Sequence, residues 1–408
     1  MPSIEKLANG LTLIVEEIPH SESAAYELSI PGGMVLDPED RIGACLILAE
    51  LNARGAGNLD SKQLSNAFEE AGIRHAESAD HDRFALRGSL LAEKLPRALE
   101  LVSWIVLQPA HDPDEIESIQ NVLLQELGSL VDHPAQRALV ELGKRYYPAP
   151  FGRPSLGTEE GIRATTLQDL KSQWTQKFKP EGAVLSVAGK VTSAEVRKLA
   201  EQYFGEWSGK GPCLPEFGKL PPHRAFHVPF DSAQLQIALA YPSARFGDPD
   251  YYAAKVTTGL LSGGMFGRLF IEVREKRGLC YSVYARHGST RNYGTVTVYA
   301  GTTAERAHET FEVTVKELRG LKGTVTEEEL DRAKANLSAA LVIGEESTAS
   351  RASSNAFDWW IGGTVRTLDE IQAGIDAVTV ASVDRYLERF PANSFMSLTL
   401  GSRELALS

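Results

Sequence analysis

The sequence predicts an α+β protein built from two copies of one domain, each an antiparallel sheet packed against helices. Three observations carry this. The first is an internal repeat. Asp37-Pro38-Glu39 precedes an apolar helical run, and Asp248-Pro249-Asp250 does the same 211 positions later. Arg87-Gly88 through Ala92-Glu93-Lys94 recurs as Ala300-Gly301 through Ala304-Glu305-Arg306, Asp114-Glu115-Ile116 as Glu328-Glu329-Leu330, and Thr165-Thr166-Leu167 as Val378-Thr379-Val380. A near-constant offset over most of the chain means a duplicated domain of about 200 residues rather than a solenoid. The second is that strands come in hairpin-like pairs followed by runs of helix, which favours α+β over a parallel βαβ arrangement. The third is the Gly/Pro-rich stretch 208–222, which fits no element and reads as a linker. The domains are therefore expected at 1–207 and 223–408.

Element by element, Leu11 to Glu17 and Ala24 to Ile30 alternate like strands. Ile42 to Arg54 is rich in Ala and Leu and reads as a helix. Ser61 to Ala71 is another, with Ser61 as its N-cap. Arg74 to Ser78 and Arg83 to Leu90 read as strands joined by a polar turn. Glu93 to Leu107 is helical and is broken by Pro109. Asp112-Pro113 opens a long helix to about Val131, with Pro113 at its first position.

Composition narrows the function classes. The 408 residues are 43% apolar and 24% charged, with a net charge of −12 and a pI near 5.4. Such an acidic chain is a poor partner for nucleic acid or an anionic membrane. Cys45, Cys213 and Cys280 are odd in number and far apart, so they form neither a disulfide framework nor a zinc-thiolate cluster. No apolar stretch is long enough to span a bilayer, and the first residues lack a signal-peptide pattern. A cytoplasmic location is expected, with a periplasmic one as the alternative.

The most specific run is Gly263 to Tyr281. It opens on glycines, carries Leu269, Phe270 and Val273 at helical spacing, and stops at Gly278 after Lys276-Arg277. A strand beginning at Tyr281 follows. Arg274 and Tyr281 thus flank a helix-to-strand turn, where a guanidinium fork and a phenol could hold and polarise a peptide carbonyl. An ordinary helix-strand corner with a surface arginine is the plainer alternative.

This run, with its glycines, Leu-Phe, Arg-Glu-Lys and Gly-Leu-x-Tyr, resembles the second-half signature of the pitrilysin/insulinase (inverzincin) metallopeptidases, the family of mitochondrial processing peptidase. The resemblance implies two halves arranged as a clamshell, with Arg274 and Tyr281 binding substrate beside a zinc ion held by a first half. That first half should carry His-x-x-Glu-His on a helix. No such run occurs here. Register on Gly43 and Gly55 puts Leu46 and Glu50 at the two histidine positions and Ala49 at the general base. Glu126 matches the third-ligand position. Zinc needs three nitrogen, sulfur or carboxylate ligands in a catalytic site, so no metal is expected in this chain, and Glu126 is expected to be unoccupied. Glu50 and Glu126 could face each other and take a hard cation, or simply be solvated.

Two further departures are read. His75, in the strand following Gly72, stands where the family has an asparagine beside the edge strand that pairs with substrate. His223 and His227 have helical ligand spacing. However, Pro221-Pro222 and the alternation of Phe226, Val228 and Phe230 make this a strand, with the imidazoles about 13 Å apart. The resemblance implies a non-catalytic, peptide-binding subunit of a heterodimeric zinc peptidase, with zinc in a homologous partner. The rivals are an inactive core or peptide-binding homologue with no peptidase role, and an unconventional hydrolase using Glu50, Glu126 or Cys45.

Overall fold

The structure is a computed structural model that describes residues 1–405. It divides into two compact units. The first sheet contains, in chain order, β1 (Ser3–Lys6), β2 (Thr12–Glu17), β3 (Ser23–Pro31), β4 (Arg74–Ala79), β5 (Arg83–Leu91) and β6 (Val184–Gly189), arranged β1-β2-β6-β3-β5-β4. The second contains β7 (Ala225–Pro229), β8 (Gln234–Ser243), β9 (Cys280–Ser289), β10 (Gly294–Thr303) and β11 (Met396–Gly401), arranged β9-β10-β8-β11-β7. Strand starts at 12, 23, 74, 83 and 184 recur at 225, 234, 280, 294 and 396, and each strand keeps the same neighbours. The duplication read from the sequence is thus also a duplication of topology; β1 is an added edge strand. Pairing is antiparallel except for one parallel pair per sheet, β2 with β6 and β7 with β11.

The repeated sequence fragments turn out to be structural punctuation. Thr166 and Thr379 each cap a helix with a reciprocal side-chain bond from the residue three positions on, at Leu167–Lys177 and Val380–Arg389. Asp37 and Asp248 also have matching roles. Asp37 accepts from the backbone of Gly43 and Cys45 and pairs with Lys177 at 3.2 Å. Asp248 pairs with Arg389 at 2.7 Å. One element boundary needs correction. The Ser61–Glu70 helix is capped by Asp60, with Gln63 closing the box, not by Ser61.

In each unit one face of the sheet is covered by that repeat's own helices. In the first, Leu13, Tyr26, Leu28 and Leu86 pack on helices that include Ala44–Asn52 and Leu95–Leu107. Fully buried Phe68 and Phe204 lie in this core, and burying a side chain of that size is worth about 1.5–3 kcal/mol. In the second, Leu235, Ile237 and Leu239 pack on Tyr251–Ser262 and Ala307–Arg319.

The opposite face of each sheet is covered by a helix from the other repeat. The first unit comprises residues 1–129, 153–216 and 344–365, and the second 130–152, 217–343 and 366–408. Helix Thr348–Gly362 packs on β3 and β6, and helix Pro134–Tyr146 packs on β8 and β11. The units change over at residue 216, within the 208–222 stretch. Beside the expected division into 1–207 and 223–408, each unit thus includes one equivalent helix from the other repeat. Arg351, 7% exposed, anchors one of them by bonding Glu16 and Glu345.

Candidate functional site

Arg274 and Tyr281 are brought together in the second unit. The segment before Arg274 is fixed by Leu269 and Val273, both fully buried. Arg268 adds a two-pronged ion pair to Glu329, at 2.9 and 2.8 Å. Phe270–Glu275 winds as a π-helix, with Lys276 N–H bonding the Ile271 carbonyl, a widening that recurs at functional sites. Gly278 then takes φ +60°. Its N–H bonds the Arg274 carbonyl, and Leu279 N–H bonds that of Val273. This is a left-handed helix stop that a side chain would strain.

β9 opens with a bulge. Cys280 pairs with Thr302 and Ser282 with Gly301, leaving Tyr281 as the extra residue. A bulge re-aims a side chain, and Tyr281 is 80% exposed. The Arg274 guanidinium carbon lies 5.1 Å from the Tyr281 ring centroid and 5.1 Å from that of Phe270. Among the described residues its guanidinium makes no ion pair or hydrogen bond, so its donors are available. Cys280 beside this pair is no nucleophile, because burial pushes its thiol up to about 11.

The first-unit residues singled out from the sequence lie on two helices and one edge strand. Leu46, Ala49 and Glu50 are on Ala44–Asn52 and Glu126 on Ile116–Ser129. Ala49 packs in the core and Leu46 against it, whereas Glu50 and Glu126 reach solvent. Burial pushes the Glu50 carboxyl up. Arg54 opposes this, and Glu77 and Glu126 reinforce it. The structure therefore does set Glu50 and Glu126 near one another, and it adds Glu77, which the sequence reading did not single out. The available signal was its place on β4 two residues after His75, hence on the same strand face.

These residues do not fit zinc. Leu46 and Ala49 offer no donor atom. The imidazole of His111 is 2.7 Å from Asn52 Oδ1. His75 stacks on Phe68 at 3.8 Å and sits 3.0 Å from Glu77. Among the described residues, no group of three or more His, Cys, Asp or Glu side chains is placed to hold a metal ion.

Cys45 is fully buried, with its thiol pushed well up, which does not suit a nucleophile. His223 and His227 bond Ser394 and Thr399 separately, as residues on and beside β7. Among the described residues, no helix is long and apolar enough to cross a membrane.

Comparison with known proteins places this geometry. The insulinase (peptidase family M16) model matches residues 12–159, and the peptidase M16 inactive-domain model matches 164–337. The chain is 27% identical to the uncharacterised zinc protease YmxG of Bacillus subtilis, over 92% of each. It is also 27% identical to the uncharacterised zinc protease Rv2782c of Mycobacterium tuberculosis, over 98% of this chain and 93% of that one. Its fold matches the crystal structure of a peptidase M16 inactive-domain protein from Pseudomonas fluorescens with a TM-score of 0.91, 23% identity and 99% and 98% coverage. A protease from Helicobacter pylori matches with a TM-score of 0.90, 20% identity and 98% and 99% coverage. With both family models matched in tandem and the shared fold running end to end, the chain belongs to the insulinase family of peptidases, family M16.

Proposed function

We propose that this chain is the non-catalytic, substrate-binding subunit of a heterodimeric zinc peptidase acting on peptides. The observation that carries the reading is the Arg274–Tyr281 pair, an unpaired guanidinium beside an exposed phenol on a buried, ion-paired base. The guanidinium fork and the phenol O–H are both donors, suited to a carbonyl oxygen as it gains charge. A zinc ion would belong to a homologous partner, since the described residues present no ligand set for one. Water-activating and carbonyl-binding groups need to converge in space, not in one polypeptide.

The test is reconstitution. The purified chain should release no peptide fragments and hold no stoichiometric zinc. Co-purified with a homologue carrying His-x-x-Glu-His, it should form a stable complex that cleaves peptides faster than the homologue alone. A partner equally active with and without this chain would make it an inactive core or peptide-binding homologue instead. One tightly held zinc in the isolated chain, lost on Glu126→Gln, would overturn the reading.

A further inference from the structure

The exchanged helix Pro134–Tyr146 does not fully cover its sheet. Arg286 on β9, Thr297 on β10 and Ala240 on β8 are cross-strand partners in one row. Thr297 and Ala240 are short, so the helix stands off the sheet there. The result is a cavity of about 340 Å³, walled by Leu142 and Tyr146 of the helix, Tyr147 just after it, and Tyr284 and Arg286 of the strand. That volume lies within the range of ligand pockets, which are mostly apolar with a few placed polar groups.

Arg286 is the polar group at the rim. It is exposed, its guanidinium carbon lies 5.0 Å from the Tyr284 ring centroid, and it makes no ion pair or hydrogen bond among the described residues. A cation without an anion, in a chain of net charge −12, stands out from its surroundings. Arg274, the carbonyl-binding candidate, is followed by Tyr281 at the start of the same edge strand. Tyr281 and Arg286 are roughly 15 Å apart along it.

We infer that this cavity is a second substrate pocket, taking an aromatic side chain of an extended peptide whose residue two positions on, on the same face, is acidic and pairs with Arg286. The inference rests on the peptide-binding reading above and adds a sequence preference to it. The preferred pair lies four or five residues from the carbonyl held at Arg274 and Tyr281, because an extended chain advances about 3.3 Å per residue. The apolar part is recognised by aromatic walls and the carboxylate by a guanidinium fork.

Gly143 offers a clean way to close the pocket. It lines the cavity from within the helix. A Cβ there would meet only Tyr147 Cδ2, at 4.0 Å. Leucine is also a better helix former than glycine. Gly143→Leu should therefore fill the cavity without unfolding the chain.

The experiment is fluorescence anisotropy with the full chain alone, needing neither partner nor turnover. The probes are labelled Ser/Gly octapeptides containing one Phe-Gly-Glu, Phe-Gly-Gln or Ser-Gly-Glu triplet. The Phe-Gly-Glu peptide should bind tightest, Phe-Gly-Gln about tenfold weaker, and Ser-Gly-Glu roughly 10–100-fold weaker. Arg286→Gln should erase the difference between the first two. Gly143→Leu should abolish binding with an unchanged or raised melting temperature, and Gly143→Ala should retain it. If Gly143→Leu lowers the melting temperature, the Arg286→Gln comparison decides. Absence of Phe-Gly-Glu binding, binding unchanged in Gly143→Leu, or a preference for glutamate unchanged in Arg286→Gln would overturn the inference. So would competition by hydrocinnamate at the peptide's own affinity, which would mark a small-molecule site. Loss of binding confined to Arg274→Ala would overturn the pocket and leave the proposed function standing. Loss confined to Gly143→Leu, with full turnover in an Arg274→Ala complex, would do the converse.

Discussion

Tyr281→Phe and Arg274→Ala separate a substrate-binding pair from a structural corner, because the two roles predict opposite ratios of activity loss to stability loss. Tyr281 is 80% exposed, so deleting its hydroxyl leaves no buried donor unsatisfied and no cavity. Arg274→Ala removes two cation–π contacts of 5.1 Å, to Tyr281 and Phe270, each worth about 0.5–1 kcal/mol at an exposed site. The base beneath, Leu269, Val273 and the Arg268–Glu329 pair, is untouched by either change. Unfolding free energy should thus fall by less than about 2 kcal/mol in Arg274→Ala and by less than about 1 kcal/mol in Tyr281→Phe. If both groups hold the carbonyl oxygen in the reacting complex, each loss should cost roughly 10²–10³ in turnover, about 2.7–4 kcal/mol of barrier. The assay is cleavage of a quenched fluorescent peptide by the complex with a zinc-bearing homologue, at fixed zinc content and subunit ratio, beside urea unfolding of the isolated chain. Full turnover in both variants would refute the argument. So would a stability loss in Tyr281→Phe of several kcal/mol with turnover intact, since the phenol would then be structural.

Three further outcomes follow from buried charge. Arg351→Met should destabilise the first unit by about 3–5 kcal/mol, measured by urea unfolding, because it strands the Glu16 and Glu345 carboxylates, 20% and 11% exposed, without their cation. The Glu16→Gln/Arg351→Met double variant should recover part of that loss. His111 is 5% exposed, and burial lowers its pKa from 6.5 to about 4. The unfolded chain takes up this proton first, so stability should fall as pH drops from 6.5 to about 4, and His111→Gln should flatten that limb of a melting-temperature profile. Arg268 lowers the Glu329 carboxyl from 4.5 to about 2. Its contribution should be intact above pH 4.5 and lost as pH falls toward 2, and Glu329→Gln should remove that dependence in acid unfolding.

The sequence was most readable where a side chain's own chemistry decides the structure. Alternation marked most of the strands, repeated Thr and Asp caps marked the duplication, and Gly278 marked the helix stop that joins Arg274 to Tyr281. It was silent where the decision rests on backbone pairing or on a choice of partner. The π-helical winding of Phe270–Glu275 and the bulge at Tyr281 are hydrogen-bond patterns that no residue type spells out. Asp60 and Ser61 are both good caps, and only the reach of Gln63 back to Asp60 selects between them. The apolar stripe of Ala138, Leu142 and Tyr146 would suit either sheet, so which one it covers is not encoded in its periodicity. Glu77 joins Glu50 only because β4 runs beside the Ala44–Asn52 helix.

The reciprocal helix exchange has a consequence for synthesis on the ribosome. The sheet of the first unit is complete once β6 has emerged, at residue 189, yet its covering helix begins at residue 348. At ordinary translation rates of about 5–20 residues per second, that sheet waits on the order of ten seconds with one face in water. The face is built for the delay. It presents Ala25, Glu27, Ser29, Ser186 and Ala188, small or polar groups that give a nascent chain or chaperone little apolar surface to hold. The second sheet never waits in this way, because its covering helix at 134–146 is translated before the first of its strands. Its face can therefore afford Leu398, Leu400 and Met396, and nascent-chain proteolysis should find the first unit vulnerable until the ribosome has passed the exchanged helix.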